Sequence, residues 1–318
     1  MEEDNLKINE INYHGSLNSV RENFDIFKLS GLIRKRGDRK YISNKFNINR
    51  SVLCRALDEA NILSNYPFLF KQKSKVNPLS RLKTKKERDL FIKKYDVKNL
   101  ECRRIYKLVK DWRKALEKNP RLLLTEEEHD LILGSLLGDS TLTQRDRNCS
   151  FSVGHSKKQE KYLYWKYNIL KDFIKVSPYW VKRKFGDRAI EILNLRTFTH
   201  PIFNFYYKLF YKKGKKTVTR EMLNMLTSRS LSVWICDDGS FDNKQGYIVL
   251  CTNSFSLEEH NIMKKYFEEF WKISPTIGFR DKKYYYLRFK QGDSKKLIKI
   301  IKPFIIESMK YKISKKNG

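Results

Sequence analysis

The sequence predicts an α+β protein in which an α-β-β-α-β-β-α unit occurs twice about a pseudo-twofold axis, preceded by a mainly helical N-terminal segment. Two apolar runs that each close on an aspartate, LILGSLLGDS at 131–140 and LSVWICDDGS at 231–240, point to the duplication. A Ser-Pro pair follows each at a matching distance: Ser177 stands 38 positions after Asp139, and Ser274 stands 36 after Asp238. Self-similarity of this kind is the signature of a repeated structural unit. Residues 1–120, by contrast, contain no alternating strand pattern. With 40% hydrophobic and 14% aromatic residues, and only 13 Gly and 7 Pro in 318, the chain can bury a core and is neither disordered nor collagen-like. The expected organisation is a helical extension over 1–120, a first repeat over 121–218 and a second over 219–318.

Within the extension, YISNKFNINRSVLCRALDEANIL at 41–63 reads as two short helices around a turn. Ile42, Phe46, Ile48, Val52, Leu53 and Leu57 would share a core, Asn47 to Asn49 would turn, and Arg50, Ser51 and Arg55 would open the second helix outward. A helix-turn-helix that reads the major groove has this pattern, and so does any pair of short amphipathic helices. The following KQKSKVNPLSRLKTKKER, residues 71–88, is expected to be a solvated linker tracking phosphates or merely an exposed connection.

Each repeat then unfolds in the same order. Thr125 and Glu128 form a capping box ahead of the first apolar run, as Ser256 and Glu259 do for a later helix. After each run comes an apolar stretch (FSVGHS; IVLCTNS), then an amphipathic helix (KKQEKYLYWKYNILKDFIKV; LEEHNIMKKYFEEFWKI). Beyond each Ser-Pro pair lie alternating segments, YWVKRKF with AIEILNLRTF and TIGFRDKKYYYLRFKQ, which read as hairpins. A closing helix follows (HPIFNFYYKLFY; SKKLIKIIKPFIIESM), and then a lysine: Lys216 is 77 after Asp139 and Lys312 is 74 after Asp238. Antiparallel sheets with helices on one face leave the other face free, and two such faces can form a curved basic saddle.

Charge narrows the function classes. The 67 Lys and Arg exceed the 36 Asp and Glu by 31, in both the extension and the repeats, which suits a polyanionic partner and not a small neutral substrate. A Lys-rich surface from an A+T-rich genome would give the same excess. Tyr and Phe between the lysines supply flat surfaces as well as charge. The longest nearly apolar stretch, Leu131 to Gly138, is far short of a membrane span. The opening MEEDNLKINE has no signal or transit character, so the expected location is an organelle matrix if the gene is organellar, or otherwise a bacterial or phage cytoplasm, without secretion. Five dispersed cysteines with no C-x-x-C pair suggest neither a disulfide framework nor a zinc site.

The two motif segments resemble the signature of the LAGLIDADG homing endonucleases, and the likeness covers about the last 190 residues. The first copy runs Ile132-Leu133-Gly134-Ser135-Leu136-Leu137-Gly138-Asp139-Ser140, the second Leu231-Ser232-Val233-Trp234-Ile235-Cys236-Asp237-Asp238-Gly239. Ser140 departs from the final Gly of the first copy and Val233, beside Trp234, from the central Gly of the second. The resemblance implies two motif helices packed side by side, each delivering its last aspartate, Asp139 and Asp238, to Mg²⁺, with Mn²⁺ as a substitute. It assigns Lys216 and Lys312 to the attacking water or to transition-state charge; Lys213, Lys215 and Lys310 are nearby competitors. A carboxylate at a helix C-terminus gains nothing from the dipole, so a compensating cation gives it a reason to be there. Gly134, Gly138, Ser232 and Cys236 would let the helices approach closely. Asp237 is expected to bind water or the opposite helix end.

For DNA reading, the long polar side chains of strands and loops are the candidates: Arg145, Arg147, Lys182, Lys184, Arg188, Asn194, Arg196, Lys244, Gln245, Arg280, Lys282, Arg288, Lys290 and Gln291, with Arg50 and Arg55 from the extension. Arg and Gln suit bidentate base contacts and Lys suits phosphates. His155 and His200 read as caps or phosphate contacts and not as metal ligands. The expected function is a monomeric, site-specific double-strand DNA endonuclease that hydrolyses phosphodiesters of a long asymmetric target with a divalent metal. Alternatives of other classes are an intron RNA maturase and a catalytically inactive DNA-binding regulator.

Overall fold

The computed structural model describes residues 13–33, 37–185 and 188–314, without the side chains of 183–189. The MEEDNLKINE segment and the side chains of Lys184 and Arg188 therefore lie outside the described residues. The chain divides into two compact units, Met1–Arg113 and Lys114–Gly318.

The first unit is built of helices: α1 (Leu17–Asn23), α2 (Ile26–Gly31), α3 (Asp38–Lys45), α4 (Arg50–Asn65), α5 (Val76–Ser80), α6 (Lys85–Lys94) and the start of α7 (Cys102–Lys118). Asn49 caps α4 by accepting from the backbone N–H groups of Ser51 and Val52. Ile42, Phe46, Ile48, Val52, Leu53 and Leu57 are all buried in one cluster with Val20, Phe24 and Leu29. Arg50 and Arg55 stay exposed on α4.

Residues 71–88 are not a solvated linker. They carry α5 and the start of α6, and bury Val76, Leu79, Leu82 and even Lys75 and Arg88. Lys75 Nζ donates to the carbonyls of Val97 (3.0 Å) and Lys98 (2.6 Å), and Arg88 Nη1 to that of Leu82 (2.8 Å). Composition missed this because the apolar residues sit singly among the lysines, while carbonyls, with the Asn61 side chain at Arg88, accept from the buried cations.

The second unit continues through α8 (Glu126–Leu137), β1 (Thr141–Arg145), β2 (Asn148–Ser156), α9 (Glu160–Leu170), β3 (Tyr179–Phe185), β4 (Arg188–Arg196), α10 (Pro201–Phe210) and the short β5 (Tyr211–Lys212) and β6 (Lys215–Lys216). After α11 (Arg220–Leu223) the order recurs: α12 (Ser228–Asp238), β7 (Gly239–Asp242), β8 (Tyr247–Leu250), α13 (Leu257–Tyr266), β9 (Thr276–Arg280), β10 (Tyr284–Phe289) and α14 (Gln291–Ile301). Both large sheets are four-stranded and antiparallel, ordered β1-β2-β4-β3 and β7-β8-β10-β9. The architecture is α+β with a duplicated unit, as the sequence predicts.

Strand alternation sets what each sheet face does. Cys149, Phe151, Val153 and His155 of β2 are buried, with Leu193 and Leu195 of β4, against α9 and α10. Ser152 and Gly154 pair with Arg196 and Asn194 on the opposite, open face. In the second sheet Ile248, Leu250, Leu287 and Phe289 face the helices α13 and α14, while Ser240, Val249 and Arg288 share the open face.

At the start of α8 the expected capping box of Thr125 and Glu128 is formed. One turn in, buried His129 shares a hydrogen bond through Nδ1 with the Tyr206 hydroxyl of α10. Burial, with the Arg121 charge adding to it, lowers His129 from 6.5 to about 4. Above pH 6.5 the group is neutral whether the chain is folded or not. Between 6.5 and about 4 only the unfolded chain takes the proton, so stability falls as pH is lowered through that window, by about 3 kcal/mol at its end. His129→Asn, which does not titrate, is expected to flatten that fall in urea unfolding between pH 6.5 and 4; an unchanged pH slope would exclude the assignment.

Candidate active centre at the paired helices

The two motif helices meet through their small residues. A Cβ at Gly134 of α8 would lie 2.2 Å from the Ser230 carbonyl oxygen and 2.8 Å from Val233 Cβ, and one at Gly138 would lie 2.5 Å from Asp237 Cβ. Backbone therefore packs on backbone, and Val233 fits where a glycine was expected because its neighbour on α8 is itself a glycine. Trp234, bulky as it is, turns into the core and stacks near Phe267, ring centroids 6.2 Å apart.

This contact brings the two motif ends together. Asp139 follows the Gly138 C-cap of α8, and Asp238 is the last residue of α12. Asp139 has a side chain 40% exposed, in a recess deep enough that desolvation, then the Asp237 charge, raises it to about 6. Asp238 is driven well above the ordinary carboxylate range by burial first and by the charges of Asp139 and Asp237 next. Like charges held close resist ionising together.

The lysines are placed in parallel. Lys216 Nζ, from β6, donates to the carbonyls of Gly138 (3.2 Å) and Ser140 (2.8 Å), which flank Asp139. Lys312 Nζ donates to the carbonyls of Asp237 (3.3 Å) and Gly239 (2.7 Å), which flank Asp238. Burial lowers Lys216, and the charges of Asp238, Asp237 and Asp139 oppose that shift in this order. Lys213 and Lys215 are exposed, and Lys310 pairs with Glu307.

Both ammonium groups hydrogen-bond to carbonyls, so neither is spent on the carboxylate of Asp139 or Asp238. Two repelling carboxylates, Asp139 and Asp238, fit a hard divalent ion such as Mg²⁺, which takes one or two carboxylates and completes its shell with water and phosphate oxygens.

The sequence reading missed three residues here. His155 is neither a cap nor a surface phosphate contact: it lies in β2, 2% exposed, with Nδ1 3.6 Å from Asp139 Oδ2 and Nε2 3.9 Å from Asp237 Oδ1. Burial and the Lys166 charge hold it down to about 3, so it is neutral. Lys166 is fully buried and donates to Asp237 Oδ1 (2.7 Å) and Oδ2 (3.0 Å); the Tyr162 hydroxyl donates to Oδ1 (2.8 Å). Asp237 Oδ2 also accepts the Asp139 backbone N–H at 3.4 Å, so Asp237 does reach the opposite helix end. The signal was present in the spacing: Tyr162, Lys166 and Leu170 fall every four residues, which sets a lysine in the apolar stripe of α9. His200, by contrast, is the N-cap of α10, its side chain accepting from Ile202 N.

The DNA-reading candidates divide by face. Arg145, Asn194 and Arg196 belong to the open side of the first sheet, where Asn194 donates to the Tyr179 hydroxyl (3.3 Å) and Arg196 to Ser150 Oγ (3.3 Å). Arg280 and Arg288 share the open face of the second, with the Arg288 guanidinium 4.1 Å from the Tyr247 ring centroid and near Gln245. Arg147, Lys244, Gln245 and Lys282 are exposed in the hairpin turns. Lys182 is placed otherwise: it pairs with Glu191, in alternation with Trp180 and Leu193, on the face opposite Asn194. Lys290 and Gln291 open α14 and are not strand residues.

A model of the LAGLIDADG DNA endonuclease family matches residues 129–297, just over half of the sequence. The chain belongs to that family. DNA endonuclease I-ChuI of Chlamydomonas applanata is 28% identical over 218 residues, covering 61% of this chain and 97% of that protein. Cytochrome b mRNA maturase bI2 of Debaryomyces hansenii is 26% identical over 197 residues, covering 60% of this chain and 74% of the relative. Among solved structures, the homing endonuclease I-WcaI bound to its DNA recognition sequence aligns with a TM-score of 0.56 at 23% identity, covering 65% of this chain and 92% of that one, a likeness of fold. The LAGLIDADG match begins inside α8 and takes in both aspartates and neither end of the chain.

Gly134→Ala is expected to cost about 1–3 kcal/mol by overpacking the helix pair. Gly292→Ala, in α14 with nothing within 4 Å of the new Cβ, is the control and should leave stability nearly unchanged. Thermal unfolding of the two variants distinguishes a tight helix contact from a general intolerance of alanine.

Proposed function

We propose that the chain is a site-specific double-strand DNA endonuclease, acting as a monomer, with Asp139 and Asp238 as metal ligands and Lys216 and Lys312 as the basic residues beside them. The observation that carries this reading is the matched pair of centres: each half supplies one aspartate and one lysine, and each lysine grips the two carbonyls that flank its aspartate. One centre per half suits one cut per strand.

Bound Mg²⁺, with Mn²⁺ as a substitute, would polarise the scissile phosphate and lower the pKa of a bound water. The protein's share is positional. Asp139 and Asp238 orient the ion, and Lys216 and Lys312 stiffen the two helix ends and set positive charge where negative charge develops. Arg145, Asn194, Arg196, Arg280 and Arg288 on the open faces are suited to base edges, and the turn residues Arg147, Lys244 and Lys282 to phosphates.

Incubating the protein with Mg²⁺ and a large duplex library, and sequencing the new ends, tests the proposal. Recurrent double-strand ends at one long sequence are expected. Asp139→Asn with Asp238→Asn should reduce cutting by about 10³-fold, from the loss of several kcal/mol of metal-assisted charge stabilisation, with DNA binding kept. The same ends from the double variant would exclude these aspartates as the ligands. The maturase relative favours intron RNA as a second partner. Splicing assistance would survive the same substitutions, whereas strand cutting would not.

Arg50 and Arg55 are proposed as phosphate contacts of a helix-turn-helix formed by α3 and α4. In the full chain, Arg50→Ala with Arg55→Ala is expected to weaken binding uniformly across DNA sequences and to lower the salt dependence of log K by about 1–2. An unchanged slope would leave α4 without a DNA role.

A further inference from the structure

Asp139, His155 and Asp237 place three ligand-type atoms within 4.8 Å of one another. His155 Nε2 is buried and has no hydrogen-bond partner. A tetrahedral ion with bonds near 2.0–2.2 Å sets its donors about 3.4 Å apart, so small side-chain movements would close this set on a borderline metal such as Zn²⁺. What already stands against it is the ammonium of Lys166, buried and bonded to both oxygens of Asp237.

Around Asp238, the counterpart of Asp139, the rest of this arrangement is missing. The matching pairings of β1 with β2 and β7 with β8 set Thr252 where the first half has His155, and Thr252 is engaged with His260 at 2.7 Å. Met263 stands as far ahead of Ser274–Pro275 as Lys166 stands ahead of Ser177–Pro178, and Gly138 occupies the position of Asp237. Stability does not account for Lys166, since an apolar residue serves in the second half and a buried ion pair adds little over an apolar one of similar shape.

We propose that Lys166 is a positioning residue, a resident cation that neutralises Asp237, denies the Asp139–His155–Asp237 cluster to other metals and so leaves Asp139 available to the divalent ion of the paired centre. This rests on the metal-dependent reading above for its consequence at Asp139 alone. With Asp237 held by Lys166 and Tyr162, its Oδ2 meets the Asp139 backbone N–H and steadies the peptide that carries the first carboxylate. The two centres are thus unequal: a buried lysine of the first half stands beside Asp139, and the matching position near Asp238 holds Met263.

Zn²⁺ titrated into the full-length protein without DNA, followed by calorimetry and by thermal unfolding, provides the test. Lys166→Met is expected to bind Zn²⁺ at least tenfold more tightly than the unsubstituted protein, and adding His155→Ala should abolish the gain. Lys166→Met with Asp237→Asn, which removes both charges, should regain the thermal stability lost in the single variant and show no Zn²⁺ response. A folded Lys166→Met protein with unchanged Zn²⁺ affinity would overturn the proposal. If the single variant does not fold, the double variant decides: folding restored supports neutralisation of Asp237 as the role of Lys166, and folding still lost refutes it. Because no DNA is cut in these measurements, a failure here is distinct from a failure of the endonuclease reading.

Discussion

The close contact of α8 with α12 is the constraint on which the second unit depends. Gly134 and Gly138 remove the side chains that would hold the backbones apart, and the helices then bring two aspartates toward each other at their C-terminal ends. Their mutual repulsion follows from that geometry. So do the two lysine tethers, each returning from the far end of its own half to the carbonyls around the motif. The sheets hang on the same helices: β1 and β7 begin within a few residues of Asp139 and Asp238, so the position of each open face is tied to the position of each carboxylate.

Much of this was legible in the sequence, for physical reasons that differ between elements. The motif helices showed themselves through apolar runs with small residues at the contact positions, and capping boxes marked the starts of α8 and α13. Duplication supplied a second reading of every element, which is why Lys216 and Lys312 could be singled out among 67 basic residues. Faces were harder. Lys182 alternates correctly along β3, but only the pairing of Tyr179 with Asn194 and Trp180 with Leu193 fixes which side it takes. Lys75 and Arg88 fell within a stretch read as a solvated linker, and Lys166 was not singled out, because lysine and arginine are rarely buried without partners. Their partners include the Val97 carbonyl for Lys75, the Asn61 side chain for Arg88 and the Asp237 carboxylate for Lys166, all distant in sequence, which no local pattern reveals.

The halves agree in fold and differ in polarity. The second packs its helix α13 through His260, Met263 and Tyr266, with His260 bonded to Thr252. The first sets Tyr162, Lys166 and His155 around Asp237 of α12, a charged network shared between the halves under Asp139. Equal backbones with unequal interiors are what a single chain permits and a symmetric dimer of one repeat forbids, because each half can be changed without changing the other.

The lysine tethers carry a consequence for assembly. Lys216 reaches carbonyls 76 and 78 positions earlier in the chain, and Lys312 reaches back 73 and 75. Such contacts close long loops and form only when the intervening sheet and helices have already docked. A chain part-way through synthesis or refolding therefore displays its aspartates before the ammonium groups brace the carbonyls around them. The charged centre is a late product of each half, and its completion reports that the surrounding hundred or so residues have found their places.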